Sequence, residues 1–246
     1  MKRQKDAKRP ELSIVILCYK SGKRIINYVK HMENELLKEG LANYELVLVG
    51  NYLPKSNDPT PRIIRELANG NPRISPVVME KKGMMGWDAI SGFTHARGKS
   101  IALIDGDGQM PSFDIVRLYR VLKSGEFDFV KTFRIKRLDG VYRRFISNIY
   151  NIIFHVLFPD TYFKDINSKP KLITRKALSK MKLNCPGWFL DGEIMLEVRR
   201  LNLSFAEIPT VFHENEWRAS FVKFNTIFEF LKYMLTYRFK YWFRKQ

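Results

Sequence analysis

Apolar residues fall in short runs separated by longer amphipathic stretches through the first half of the chain. Leu12–Leu17 reads LSIVIL, a continuous apolar run, which predicts a strand buried on both faces. Ile25, Tyr28, Val29, Met32 and Leu36 then recur at helical spacing, and Gly40 closes that helix. Glu45–Val49 is a second strand. Thr60-Pro61 starts a helix that Asn69-Gly70 ends. Ser75–Met79 is a weaker third strand, Gly86–Ala96 a helix, Ser100–Ile104 a fourth strand, Pro111–Lys123 a helix and Phe127–Phe133 a fifth strand. Strands alternating with helices imply an α/β fold with a mainly parallel, Rossmann-like central sheet and helices on both faces. In such sheets ligands sit beyond the carboxyl ends of the strands.

The second half changes character. Arg143–Phe158 is apolar and aromatic with a basic start. Its Ile149, Ile152 and Ile153 suit a core helix and a lipid-facing one equally. Leu172–Leu178 reads as a return strand and turn, and Gly187–Leu201 enters a helix. Phe205–Val211 is a last strand, which Pro209 pushes towards a sheet edge. Trp217–Gln246 closes the chain as an amphipathic aromatic helix. Phe221, Phe224, Phe228, Leu231, Leu235, Phe239 and Trp242 form one stripe on it, and Lys and Arg are spread around that stripe. Such a helix suits the lipid headgroup layer, or docks on its own domain.

Composition excludes a disordered chain: 45% of the 246 residues are hydrophobic and 28% charged. Two cysteines make no disulfide framework, so a reducing compartment is expected. No apolar run reaches the roughly 18–20 residues of a membrane span, and no signal peptide is evident. The net charge is +18, and residues 1–10, 131–144 and 223–246 carry 14 of those charges. An excess so localised suggests an anionic partner: a phosphorylated substrate, an anionic membrane surface or nucleic acid. The basic stretches carry no nucleic-acid motif, so no nucleic-acid partner is expected.

The sharpest chemistry is Asp105-Gly106-Asp107-Gly108-Gln109, directly after the apolar run SIALI. Two carboxylates and an amide oxygen at steps of two suit a hard cation, Mg²⁺ or Mn²⁺, shared with substrate phosphates. The glycines let backbone approach a ligand closely. An EF-hand is excluded, because its sixth and twelfth positions hold Met110 and Val116 rather than Gly and Glu. A phosphatase-type strand end and a merely solvated acidic turn are the other readings.

Upstream, Lys82-Gly83 is followed by Gly86, Ala89, Gly92, Ala96 and Gly98. Downstream come Arg137, Asp139-Gly140, Arg143-Arg144, Ser147, Asn151, Asp165, Gly187-Trp188-Phe189-Leu190-Asp191-x-Glu193 and Glu207-Ile208-Pro209, in that order. The set resembles family 2 glycosyltransferases of GT-A fold, in the branch of the dolichol-phosphate mannose synthases and other polyprenyl-phosphate sugar synthases. It covers roughly residues 11–223, between a basic tail at 1–10 and the terminal helix; the transferase domain is set at 11–216 and the helix at 217–246.

The resemblance implies a metal-dependent, inverting transfer of a sugar from a nucleoside-diphosphate sugar to a polyprenyl phosphate. The protein would be peripheral, on the cytoplasmic face of a membrane, with room for a separate membrane-protein anchor. Asp105, Asp107 and Gln109 become the metal ligands. Tyr19, Asn51, Asp58, Lys82, Gly83, Asp105 and Gly106 become the donor side. Two departures stand out there: Cys18-Tyr19-Lys20-Ser21 lacks the acid the family carries, and Val49-Gly50-Asn51 lacks its paired aspartates. Arg134, Arg137, Arg143 and Arg144, on a mobile loop and its exit, together with Ser147, Asn151, Arg218, Ser220 and Lys223, become the phosphate and acceptor side. His213 is a further pyrophosphate or metal candidate. Asp107, Asp191 and Glu193 become catalytic; a carboxylate base is needed for a hydroxyl acceptor and hardly needed for a phosphate. The alternatives are the same fold acting on a hydroxyl of a glycan or protein, and a non-catalytic membrane-binding relative.

Overall fold

A computed structural model describes residues 9–214 and 224–243. The elements in chain order are β1 (Leu12–Leu17), α1 (Arg24–Lys38), β2 (Tyr44–Val49), α2 (Thr60–Gly70), β3 (Ile74–Val77), α3 (Met85–His95), β4 (Ser100–Asp105), α4 (Phe113–Lys123), β5 (Phe129–Arg137), α5 (Val141–Leu157), β6 (Lys171–Thr174), α6 (Arg175–Leu178), α7 (Leu190–Arg200), β7 (Phe205–Phe212) and α8 (Phe224–Phe243). The strands form one sheet of order β3-β2-β1-β4-β6-β5-β7. The pairs β1–β2, β1–β4, β2–β3 and β5–β7 are parallel, and β6 is antiparallel to both β4 and β5. The sheet is therefore mainly parallel, and β7 holds the edge that Pro209 suggests.

Every residue of β1 and β2 is buried, the consequence of helices on both faces. One core layer joins Val15, Val47, Leu103 and Phe93 to Phe154, Phe189 and Met234; the other joins Ile14, Leu46 and Ile104 to Ile25, Ile64 and Leu118. The C-terminal helix thus contributes Met234 to the main core. It docks through its tyrosine side: Phe189 stacks on Tyr233 at 6.3 Å and packs on Tyr237 at 5.1 Å, and Tyr150 meets Phe230 edge-on at 5.1 Å. Of the predicted stripe, Phe228, Leu235 and Phe239 are exposed and Leu231 is partly buried, while Phe221 lies outside the described residues.

The β5–α5 connection differs from the expected mobile loop. Strand β5 runs on to Arg137 and α5 starts at Val141, so the turn is only three residues long. Arg134 and Arg137 lie in the strand, and Arg143 and Arg144 in the first helical turn. Pairing with β7, bulged between Arg134 and Lys136, carries the strand past its predicted end at Phe133.

Candidate active site

Parallel strands β1, β2 and β4 end together, and the acidic segment starts at that edge. Asp105 is the last residue of β4 and pairs in register with Leu17. The Gly106 N–H donates to Leu17 O at 2.9 Å, and a Cβ at Gly106 would lie 3.0 Å from both Ile16 and Leu17, so a side chain there would crowd the strand end. Asp107 Oδ1 accepts the Gln109 N–H at 3.1 Å. Gln109 Nε2 donates to His213 O at 3.0 Å, and the His213 N–H returns to Gln109 O at 2.8 Å. The exit of β7 therefore fixes the acidic turn, and His213 takes part through its backbone.

The donor set fits a hard divalent cation, since Asp105 and Asp107 are only partly buried and supply carboxylate oxygens. No cluster of three or more His, Cys, Asp or Glu side chains is gathered tightly enough among the described residues to hold a metal alone. The arrangement fits a cation that substrate phosphates help to bind.

Two buried lysines stand beside this edge. Lys169 Nζ lies 3.3 Å from Asp105 Oδ2 and 3.1 Å from Asp191 Oδ2. Lys171 Nζ lies 2.5 Å from Asp191 Oδ1 and donates to Ser168 O at 2.7 Å. Burial by itself would raise the Asp191 carboxyl; the ammonium groups of Lys169 and then Lys171 outweigh it and hold that carboxyl below its ordinary range. Burial pushes the Lys171 ammonium down to about 7 against the pull of Asp191. Asp191 reaches this position because the Gly187 loop delivers it into the first turn of α7. Neither lysine was among the sequence candidates. The available signal was the run Ser168-Lys169-Pro170-Lys171, which puts charge at the mouth of an apolar strand.

Glu193, predicted as catalytic, faces elsewhere. Its carboxylate accepts the N–H groups of Asn184 at 3.0 Å and Cys185 at 2.9 Å, and the Tyr237 hydroxyl also donates to it. It ties the 184–187 loop to α8, and these bonds occupy both oxygens.

The arginine group divides. Arg134 is buried in a two-pronged pair with Asp165, at 2.6 and 2.7 Å, and also reaches Ser147 Oγ at 3.3 Å. Burial would raise the Asp165 carboxyl, but Arg134 holds it far below the ordinary range. Arg137 grips Asp139 at 3.0 and 2.7 Å and lies over the Phe212 ring. Arg143 shares Asp139 at 3.0 Å, and Arg144 donates to Arg137 O at 3.1 Å from an exposed position. Arg134 and Arg137 are thus structural pairs, whereas Arg143 is only half-buried beside Asp139 and Arg144 is exposed. Asn151 is structural too: its Oδ1 accepts the Ile166 N–H at 3.2 Å. Arg218, Ser220 and Lys223 lie outside the described residues.

The donor side also needs correction. Asn51 is wholly buried; its Nδ2 donates to Asp88 and Ser91 at 3.0 Å, and its Oδ1 accepts the Met79 N–H at 2.9 Å. It braces the sheet end, buried and with both of its N–H donors taken. Asp88, which sequence reasoning did not single out, pairs with Lys81. The Lys81 ammonium sits 4.3 Å from the centre of the Tyr19 ring. Asp58 accepts from Lys20 N at 3.1 Å and Thr60 N at 3.0 Å, and lines a cleft with Lys20, Gly22 and Arg24. Lys82 is exposed. Gly83 and Gly86 are packing positions, because added Cβ atoms would lie 2.7 Å and 2.2 Å from the carbonyls of Pro186 and Cys185. The N–H groups of Met84, Gly86 and Trp87 donate to that same loop at 2.8–3.0 Å, so the start of α3 is satisfied within the protein.

A mainly parallel sheet with an acidic turn after its central strand and an aspartate delivered from the far side defines a GT-A-type architecture. The chain belongs to glycosyl transferase family 2, whose profile matches residues 13–184. It is 25% identical over 228 residues to a dolichyl-phosphate beta-glucosyltransferase of Trichomonas vaginalis, covering 86% of this chain and 68% of that protein. It is 32% identical over 126 residues to an undecaprenyl-phosphate 4-deoxy-4-formamido-L-arabinose transferase of Edwardsiella ictaluri, covering 48% of this chain and 38% of that one. The chain thus spans two thirds or less of the length of most such relatives. Glucosyl-3-phosphoglycerate synthase of Mycobacterium tuberculosis, solved with Mn²⁺, uridine diphosphate and glucosyl-3-phosphoglycerate, superposes with a TM-score of 0.68 at 17% identity, covering 94% of this chain and 80% of that chain. That likeness is one of fold.

Proposed function

We propose that the chain transfers a sugar, with inversion, from a nucleoside-diphosphate sugar to a polyprenyl phosphate at the cytoplasmic surface of a membrane. The observation that carries the choice of acceptor is the state of Asp191. Both of its oxygens are held by buried ammonium groups, at 2.5 and 3.1 Å, so it is a poor place to put a proton. A hydroxyl acceptor needs a carboxylate base in this position; a lipid phosphate, whose second ionisation lies near about 6, arrives as an anion. The relatives named for polyprenyl-phosphate substrates support the same acceptor.

Asp105 and Asp107, with Gln109, would hold a divalent cation against the donor diphosphate. Bound there, the cation supplies positive charge to the departing nucleoside diphosphate. Arg143 and Arg144 stand at the α5 start to receive the incoming phosphate, as guanidinium forks match its oxygens. A phosphate oxygen of the acceptor forms the new bond to the anomeric carbon, the bond from that carbon to the diphosphate oxygen breaks, and the electron pair leaves with the diphosphate. Asp191, fixed by its lysines, orients the sugar.

Membrane contact rests on α5 and α8. Val141, Phe145, Ile149, Ile152 and Val156 are exposed along one side of α5 at steps of three and four, while Tyr150 and Phe154 face the core. Ile153 packs on the core, so the two sides of that segment divide between packing and exposure. No helix among the described residues is long and apolar enough to cross a membrane.

The test is direct. Purified chain is incubated with radiolabelled UDP- or GDP-sugars, polyprenyl phosphate and Mn²⁺, and the organic phase is analysed. Labelled polyprenyl-phosphate sugar that forms with wild type and not with Asp107→Asn supports the reading. Label transferred only to a glycan or peptide hydroxyl, or to nothing across the panel, overturns it.

A further inference from the structure

Lys169 is in an unusual place for a lysine. Its side chain is 7% exposed, and its ammonium touches one carboxylate from each half of the site, Asp105 at 3.3 Å and Asp191 at 3.1 Å. Asp191 also has a second partner, because Lys171 stands 2.5 Å from its other oxygen. The other contact of Lys169 falls on a carboxylate that the proposed function assigns to the divalent cation. An ammonium and a divalent ion cannot both lie against Asp105 Oδ2 without strong repulsion.

We propose that Lys169 is a positioning residue that competes with the divalent cation for Asp105 and so sets the affinity of the donor site for metal. This rests on the reading of Asp105 and Asp107 as cation ligands. With no cation bound, Lys169 clamps Asp105 to Asp191 and keeps the acidic turn in place. When cation and nucleoside diphosphate arrive, Asp105 changes partner and Lys169 stays on Asp191. The ammonium then lies beside the diphosphate subsite, where it adds a fixed positive charge. Metal binding weakens as a result, and becomes more dependent on the diphosphate that brings its own oxygens.

The experiment measures metal directly. Mn²⁺ is titrated into the full chain, alone and with UDP or GDP, and free Mn²⁺ is read by electron paramagnetic resonance. Lys169→Met should bind Mn²⁺ about tenfold more tightly than wild type without nucleotide, since a unit charge beside the ligand oxygen is gone. Lys169→Gln, which keeps a hydrogen-bond donor for both carboxylates, gives the same answer should the methionine variant fail to fold. Lys169→Arg should stay near wild type. Lys171→Met, which removes a charge from Asp191 alone, should leave Mn²⁺ affinity within about twofold of wild type, a split that a merely structural role would not produce. Equal Mn²⁺ affinity in wild type and Lys169→Gln overturns the proposal and leaves the cation reading standing, and so does an equal gain in Lys171→Met. No Mn²⁺ uptake by any variant, with or without nucleotide, overturns the cation reading and this proposal with it.

Discussion

Asp191 accepts from Lys171 across 2.5 Å in a fully buried setting, and the pair joins α7 to the start of β6. This changes what a substitution at Asp191 measures. Asp191→Asn leaves Lys171 buried without its carboxylate and Lys169 with Asp105 alone, and breaking one side of a buried pair costs about 3–5 kcal/mol. The variant should melt well below wild type, and its lost turnover then reports the fold as much as the chemistry. Adding Lys171→Met should restore part of the lost melting temperature. A double variant no more stable than Asp191→Asn would show that the pair does not hold the fold together.

Asp107 is a cleaner probe. It lies on the partly exposed turn, and its Oδ1 bond to the Gln109 N–H survives replacement by the amide oxygen of asparagine. Asp107→Asn should fold with an unchanged melting temperature. It should lose about 10²–10³ in turnover, the scale for removing one group that stabilises developing charge. Metal-dependent thermal stabilisation by UDP or GDP should vanish with it. A variant that keeps this stabilisation would remove Asp107 from the ligand set.

The Arg134–Asp165 pair sets an acid limit. The folded-state carboxyl of Asp165 is depressed well below its unfolded value of about 3.9, as those of Asp191 and Asp139 are depressed. A depressed carboxylate contributes stability that is fully present above the unfolded value and is lost as pH falls towards the folded one. Melting temperature should therefore hold down to about pH 5 and fall steeply below about pH 4. In Arg134→Met, Asp165 is left buried without its main counter-charge. That variant should be destabilised by about 3–5 kcal/mol near neutrality and should show a shallower acid dependence, with Asp191 and Asp139 supplying the remainder. An unchanged acid profile would show that another group sets the limit.

The fold was legible because its signals are local. Buried strands such as Leu12–Leu17, and helix ends marked by Thr60-Pro61 or Asn69-Gly70, lie within a few residues of one another. The acidic turn was legible for the same reason. The donor and acceptor sides were less so, because their roles are set by partners far along the chain. Asn51 looked available to a base until Asp88 and Ser91, 37 and 40 residues away, claimed its amide. Arg134 looked like a phosphate ligand until Asp165, 31 residues on, took its guanidinium. Lys169 and Lys171 carried no signal of their own, because nothing in their neighbourhood shows the buried Asp191, 22 and 20 residues later, that draws them in.

Close packing supplies a prediction that no charge argument would. A methyl group at Gly86 would lie 2.2 Å from Cys185 O and 2.6 Å from Gly187 O, both backbone atoms with little freedom to move. Gly86→Ala should cost about 1–3 kcal/mol by overpacking, despite the better helix propensity of alanine. The shift would propagate to the loop that delivers Asp191, so turnover should fall more than stability alone explains. A variant as stable and active as wild type would show that the 185–187 loop is free to retreat.

The exposed side of α5 can be tested apart from catalysis. Phe145, Ile152 and Val156 touch solvent over most of their surface, so polar replacements there should change folding stability by less than about 0.5 kcal/mol. On a membrane the same residues would be buried, at about 25 cal/mol for each Å² of apolar surface removed from water. Phe145→Ser with Ile152→Ser should therefore leave the melting temperature unchanged while reducing sedimentation with vesicles of anionic phospholipid by tenfold or more. The arginines at the helix start act with the stripe: Arg143 is half-buried and Arg144 exposed, each worth about 1 kcal/mol against an anionic surface, so binding should weaken as salt rises. Turnover with a short, water-soluble isoprenoid phosphate should survive the double substitution, because that acceptor needs no surface to present it. If vesicle binding is unchanged in the double variant, membrane contact is made elsewhere, and the exposed Phe228, Leu235 and Phe239 of α8 become the residues to replace next.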